Sequence, residues 1–114
     1  MKKLSESRAQ VESTDGCLTS CLQVLGNKWT ALILSELLLG PRRFTELERM
    51  LEGISPRTLS QRLDDLEQHH IIVKESFAEA PPRVEYTLTQ KGQDFVPILE
   101  KMAAWGTKYH AVKG

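Results

Sequence analysis

A cluster of hydrogen-bonding side chains follows a serine-proline pair near the middle of the 114-residue chain. The cluster consists of Ser55, Pro56, Arg57, Thr58, Ser60 and Gln61. Arginine can bind the edge of guanine, and glutamine can bind the edge of adenine. Serine followed by proline is also a typical helix start, where free N–H groups can bind a phosphate. The chemistry that this cluster offers is recognition of a DNA duplex.

The cluster opens a predicted amphipathic helix that ends near Gln68. The side of this helix predicted to be buried is formed by Leu59, Leu63 and Leu66. Arg57, Gln61 and Gln68 fall on the opposite side at helical spacing. Any amphipathic helix has a polar outer side, so the pattern alone fits an ordinary solvent-facing surface as well as a DNA-reading one.

The charge distribution restricts where DNA could touch this helix. The total is neutral, with 15 basic and 15 acidic residues, although DNA-binding domains usually carry a basic excess. From Pro41 to Arg62, however, five arginines face three glutamates, whereas Leu63 to Glu79 holds five acids and one lysine. We therefore expect DNA contact only at the first turns of the helix, as in helix-turn-helix docking.

Three arginines outside the helix are candidate phosphate anchors. Arg42 and Arg43 precede a short predicted helix, where they could hold the DNA backbone or form surface salt bridges with Glu46 or Glu48. Arg83 follows two consecutive prolines in a predicted hairpin loop. It could enter a minor groove or contact phosphate, or it could be a solvated charge next to a turn.

Five helices and one β-hairpin are predicted to position these groups. The helices run from Asp15 to about Asn27, Trp29 to Leu39, Thr45 to about Leu51, Pro56 to about Gln68, and from Thr89 onward. The strands run from Ile71 to Phe77 and from Val84 to Leu88, joined by a loop from Glu79 to Arg83. The order predicts a mainly α fold with a small hairpin wing, a winged helix-turn-helix.

Local signals sharpen three of these helices. The second is apolar on nearly all sides, which predicts a buried central helix. Thr45 and Glu48 have the spacing of a capping box at the start of the third. Pro97 is expected to kink or split the last helix. The apolar stripe of the last helix comprises Phe95, Leu99, Met102 and Trp105. It exceeds what a small core absorbs, which indicates a dimer surface.

The two cysteines, Cys17 and Cys21, lie four residues apart and therefore on one side of the first predicted helix. They are candidates for a redox sensor or an inter-subunit pair, and the alternative is that they are small buried hydrophobic residues. Their spacing to the histidines matches no standard zinc site, so no metal or other cofactor is expected. No nucleophile motif or glycine-rich phosphate loop indicates an enzyme.

The bulk properties fit one domain of ordinary globular composition. Residues 1–14 are polar and aperiodic and are predicted to form a flexible arm, with the domain spanning residues 15–110. No segment has the length of a membrane span, and the N-terminus lacks the apolar core of a secretory signal. We expect a cytoplasmic protein that does not engage a membrane.

Several motifs in a set order resemble the HxlR-type winged-helix transcriptional regulators, relatives of the MarR group. The matching residues are Gly26-Asn27-Lys28-Trp29, Gly40-Pro41-Arg42-Arg43-Phe44 with Leu47, Ile54-Ser55-Pro56 with Leu59, Arg62-Leu63 with Leu66, Pro81-Pro82-Arg83-Val84-Glu85-Tyr86 with Leu88-Thr89 and Gly92, and Trp105. The resemblance covers about residues 16 to 109.

The resemblance implies a homodimer built from the first and last helices. Each subunit would place its fourth helix in a major groove of a palindromic operator, with its wing alongside. In some members an N-terminal cysteine senses oxidants or electrophiles, which implies a possible oxidant or small-molecule effector here. Members usually carry a Cys-Pro pair slightly further upstream of the tryptophan, whereas Cys17 is followed by Leu18.

Two other functional classes remain open at this point. A winged helix can serve as a protein-protein interaction module without reading DNA, which the zero net charge would suit. A thiol-based redox enzyme is the more remote option, because the chain lacks a CxxC motif. The leading hypothesis is a homodimeric, sequence-specific DNA-binding regulator.

Overall fold

A computed structural model describes residues 19, 21–24 and 26–110 of the chain. The helices labelled here are α1 (Lys28–Leu38), α2 (Phe44–Met50), α3 (Pro56–Gln68) and α4 (Gln90–His110), and the strands are β1 (Ile72–Phe77) and β2 (Arg83–Leu88). Residues 21–24 are also helical. This order of three helices, a hairpin and a long helix confirms the predicted winged helix-turn-helix.

The N-terminal predictions lie mostly outside the described residues. The proposed arm, residues 1–14, and most of the first predicted helix cannot be compared with the structure. The helical residues 21–24 fall within that predicted helix. Asn27 then starts α1, because its side-chain oxygen accepts a hydrogen bond from the Trp29 N–H at 2.8 Å.

Helix α1 forms the centre of the domain, but only one side of it is buried. That side consists of Thr30, Ile33, Leu34 and Leu37. Leu32 and Leu38 are about half exposed, and the capping residue Leu39 is more exposed still. The prediction of burial on nearly all sides is therefore wrong. Leu32 instead lines an open groove between α1 and α4, together with Leu99 and Met102.

Helices α2 and α3 form the helix-turn-helix. Helix α2 begins earlier than predicted, and its capping contact joins the Arg43 N–H to the Glu46 carboxylate at 2.8 Å. The predicted Thr45–Glu48 capping box is therefore wrong by two residues. Leu47 packs in the core, and Gly53 takes the positive φ of 91° that the turn requires.

The wing is an antiparallel hairpin in which Ile72 pairs with Leu88 and Phe77 pairs with Arg83. The loop is one residue earlier than predicted, so that Arg83 belongs to β2. Arg42 adds a single bridge to the sheet through two backbone hydrogen bonds with Tyr86, at 3.1 and 2.8 Å. The segment before α2 is therefore tied directly to the wing.

Helix α4 is continuous from Gln90 to His110, so of the two outcomes predicted for Pro97, a kink or a split, the split is wrong. Pro97 is exposed, so water can bond the carbonyl group that lacks its helical donor. Thr89 caps the helix as predicted, since its hydroxyl oxygen accepts a hydrogen bond from the Gly92 N–H at 3.1 Å. Phe95 is buried in the core, whereas nearly every residue from 100 to 110 is exposed.

Candidate nucleic-acid interface

The start of helix α3 is held by its capping serine. The Ser55 hydroxyl oxygen accepts a hydrogen bond from the Thr58 N–H at 3.1 Å, and the same hydroxyl donates to Thr58 Oγ1 at 2.9 Å. Pro56 occupies the first turn, where its missing N–H costs no helical hydrogen bond. The predicted cap is confirmed, and it sets the direction in which the first turn of α3 points.

Helix α3 has one buried and one exposed side, as the sequence pattern predicted. Leu59, Leu63 and Leu66 are buried almost completely. Arg57, Ser60 and Gln61 are exposed on the first turns, whereas Thr58 is partly buried beside the cap. Three hydrogen-bonding side chains are thus presented to solvent by a backbone that the leucines anchor to the core.

Arg42 and Arg43 occupy two different structural settings. Arg42 is partly buried and is joined through its backbone to the wing, while Arg43 is exposed at the start of α2. Within the described residues, neither arginine forms an ion pair with Glu46 or Glu48. The Glu46 carboxylate instead accepts a hydrogen bond from the backbone N–H of Arg43. The salt-bridge alternative considered for these arginines is therefore wrong within that part of the chain.

Arg83 is surrounded by partners that sequence reasoning missed. Its Nη1 donates to Glu79 Oε1 at 2.7 Å, and its Nε lies 3.3 Å from Glu85 Oε2. The guanidinium carbon stands 4.4 Å from the centroid of the Phe77 ring. The spacing of Arg83 to the two glutamates in sequence was the available signal. Arg83 is thus not a freely solvated charge.

The second half of α3 is acidic in the structure as in the sequence. Arg62 pairs with Asp65 at 3.1 Å, so its charge is offset locally. Burial raises the pKa of the Tyr86 hydroxyl, and the negative charges of Glu67 and Asp64 raise it further. The acidic turns therefore act electrostatically on the base of the wing, and phosphate would be repelled there.

The thiol of Cys21 lies at a cavity of about 300 Å³ between residues 21–24, the end of α3 and α4. Ile71 and Phe95 supply apolar walls, and His69 and Lys91 lie at its polar side. Cys21 is a free, partly buried thiol. Cys17 lies outside the described residues, so the structure does not relate the two cysteines.

The described part of the chain offers neither a metal-ion site nor a membrane-spanning helix. Across residues 19, 21–24 and 26–110, no group of three or more His, Cys, Asp or Glu side chains could hold a metal ion. None of the helices in these same segments is both long enough and apolar enough to cross a membrane.

The helix-turn-helix and wing place the chain among known proteins. Residues 24–113 match the HxlR-like helix-turn-helix family. The chain belongs to this family. Its HxlR-like relatives are transcriptional regulators, not enzymes, which agrees with the absence of a catalytic motif.

Known proteins are similar to this HxlR-like chain over most of its length. The uncharacterized regulator YvaP of Bacillus subtilis is 40% identical over 88 residues, which are 77% of this chain and 82% of YvaP. A solved MarR-family regulator from Enterococcus faecalis V583 has a TM-score of 0.77 and 36% identity, covering 87% and 90% of the two chains. The redox regulator HypR in its oxidized form has a TM-score of 0.75 and 34% identity, and the match covers 80% of this chain and 94% of the HypR chain.

Proposed function

We propose that this HxlR-like protein is a cytoplasmic transcriptional regulator that binds a specific duplex DNA sequence as a homodimer. The observation that carries the proposal is the start of α3, where Arg57, Ser60 and Gln61 face solvent. The opposite side of the same helix is buried in the core. The proposed contact residues are Arg42, Arg43, Ser55, Pro56, Arg57, Thr58, Ser60, Gln61 and Arg83.

The roles of these residues follow from their chemistry. Arg57 is suited to the O6 and N7 atoms of guanine, and Gln61 to the N6 and N7 atoms of adenine. The free N–H groups at the start of α3 suit a phosphate. Arg42 and Arg43 would position the domain on the backbone without reading sequence. Contact ends where the acidic turns begin, so specificity rests on few side chains.

The homodimer is supported by an apolar stripe on the exposed part of α4. Ile98, Met102, Trp105 and Tyr109 follow one another at intervals of four, three and four residues. All four are between 45% and 69% exposed. This spacing is typical of a seam between packed helices. A two-fold dimer would present two copies of α3 to a palindromic operator with half-sites about one helical turn apart.

Replacing Arg57 tests the base-reading role. Arg57→Ala is expected to weaken binding to a preferred duplex by roughly tenfold or more, because a bidentate contact with guanine discriminates by about 1–3 kcal/mol. Its binding to an unrelated duplex should change much less. The measurement is fluorescence anisotropy with both duplexes over a series of salt concentrations.

Arg49→Ala is the matched control, since Arg49 is an exposed arginine of α2 outside the proposed contact set. It removes the same charge and should leave the preference between duplexes unchanged. If Arg57→Ala, like Arg49→Ala, changed the affinity for both duplexes by the same factor, base reading by Arg57 would be excluded. Failure of the unaltered protein to bind any duplex at low salt would favour the protein-protein interaction module.

An oxidant or electrophile response through a cysteine is a second proposal, supported by the likeness to HypR and by the partly buried thiol of Cys21. Treatment with diamide is expected to lower DNA affinity in the unaltered protein. The response should disappear in Cys21→Ser if this thiol is the sensor, or in Cys17→Ser if the upstream thiol is. A response that persists in the double variant would mean that neither thiol senses oxidants.

A further inference from the structure

The wing carries one arginine that is held by three neighbouring side chains. Arg83 is the first residue of β2, and it contacts Glu79, Glu85 and the ring of Phe77. Its side chain is 28% exposed. The positive charge that a wing needs for phosphate is therefore present, but two carboxylates already neutralise it.

The three partners of Arg83 differ in how firmly they are held. Phe77 is paired directly with Arg83 across the hairpin, and Glu85 lies two residues further along the same strand. Glu79 belongs to the connecting loop, and its side chain is 46% exposed. Of the three contacts, the one with Glu79 can therefore be exchanged without disturbing the strands.

The outer side of the wing is acidic. Residues directly opposite one another in an antiparallel pair share a side of the sheet, which places Glu75, Glu85, Phe77 and Arg83 together. Glu79 adds a further negative charge through its contact with Arg83. With three carboxylates against one guanidinium, this side carries a net negative charge that weakens phosphate binding, and Glu79 places one of these charges directly at Nη1 of Arg83.

We infer that Glu79 determines how strongly the wing binds DNA, by competing with phosphate for the guanidinium of Arg83. This inference rests on the proposed function as a DNA-binding regulator. When DNA docks, a phosphate oxygen takes the position of the Glu79 carboxylate at Nη1. Phe77 and Glu85 keep the guanidinium in its place during the exchange, so Arg83 needs no new orientation.

The test compares Glu79→Gln with the unaltered protein on one duplex over a series of salt concentrations. Glu79→Gln is expected to tighten binding by about threefold per wing, a size typical of an exposed ion pair. The salt dependence should become steeper by at most about one phosphate contact per wing. In an Arg83→Gln background, the same change should have no effect, because no guanidinium remains to be released.

Glu75→Gln is the matched control, because Glu75 lies on the same side of the wing and accepts a hydrogen bond from the Thr87 hydroxyl at 3.4 Å, not from Arg83. It should alter affinity little. The inference is overturned if Glu79→Gln binds no tighter, if Glu75→Gln matches it, or if the gain persists without Arg83. Failure of the unaltered protein to bind any duplex would instead overturn the proposed function, so the two failures are distinguishable.

Discussion

Gly92→Ala is expected to lower the free energy of unfolding by about 3 kcal/mol, the upper part of the range for overpacked sites. A Cβ atom at this position would overlap the backbone carbonyl oxygen of Ile71 and lie 3.2 Å from Leu88 Cδ2. Both neighbours belong to the base of the wing, where Thr89 also bonds to the Ile71 carbonyl oxygen. The helix and the wing must therefore separate to admit the methyl group.

Gly106→Ala makes the same change in the same helix, where the added Cβ atom meets nothing within 4 Å among the described residues. Alanine favours a helix over glycine by about 1 kcal/mol, so this control should be unchanged or slightly more stable. Urea unfolding followed by circular dichroism measures both variants. Equal stability of Gly92→Ala and the unaltered protein would show that α4 does not approach the wing as closely as described.

Trp105→Ala is expected to weaken the proposed homodimer at least roughly thirtyfold, since a central aromatic residue of an interface commonly contributes about 2 kcal/mol or more. Trp105 is 69% exposed within one chain, and its ring centroid lies 5.3 Å from that of Tyr109. A tilted aromatic pair of this kind provides the large apolar area that a partner subunit would cover. Sedimentation velocity over a range of protein concentrations measures the dissociation constant.

Leu39→Ala provides the control, because Leu39 is 74% exposed and lies outside the exposed stripe of α4 formed by Ile98, Met102, Trp105 and Tyr109. It should leave the monomer-dimer equilibrium unchanged. Trp105→Ala should also weaken binding to the proposed palindromic operator, because two linked copies of α3 would bind far more tightly than one. A protein that sediments as a monomer at every concentration would contradict the homodimer, and an unchanged dissociation constant would remove Trp105 from the interface.

The helix-turn-helix was predictable because its signals are local. Ser55 and Pro56 specify a helix start through their own hydrogen bonds and φ restriction, and Leu59, Leu63 and Leu66 lie at the period of a helix. These features depend on neighbours in sequence, so they are visible without a structure. Thr89 as a cap is another case of the same kind.

The predictions were wrong or incomplete where a side chain had more than one available partner and the packing of the elements decided between them. Glu48 stands three residues after Thr45, and Glu46 stands three residues after Arg43, so both pairs have the spacing of a capping box. The bridge of Arg42 to Tyr86 places the helix start at the earlier pair. Leu32 is apolar, but its exposure depends on how far α4 stands from α1. The contact of Arg83 with the Phe77 ring depends on the hairpin register, which a single strand pattern leaves open.

Selection from a library of random duplexes is the most direct test of the proposal that α3 reads DNA sequence in a dimer. Purified protein should enrich an inverted repeat whose half-sites lie about one helical turn apart, and the enriched duplex should bind with a steep salt dependence. Arg57→Ala should enrich sequences with a relaxed base at one position in each half-site. Recovery of duplexes without a common sequence, from protein that is folded and active in binding, would contradict the account.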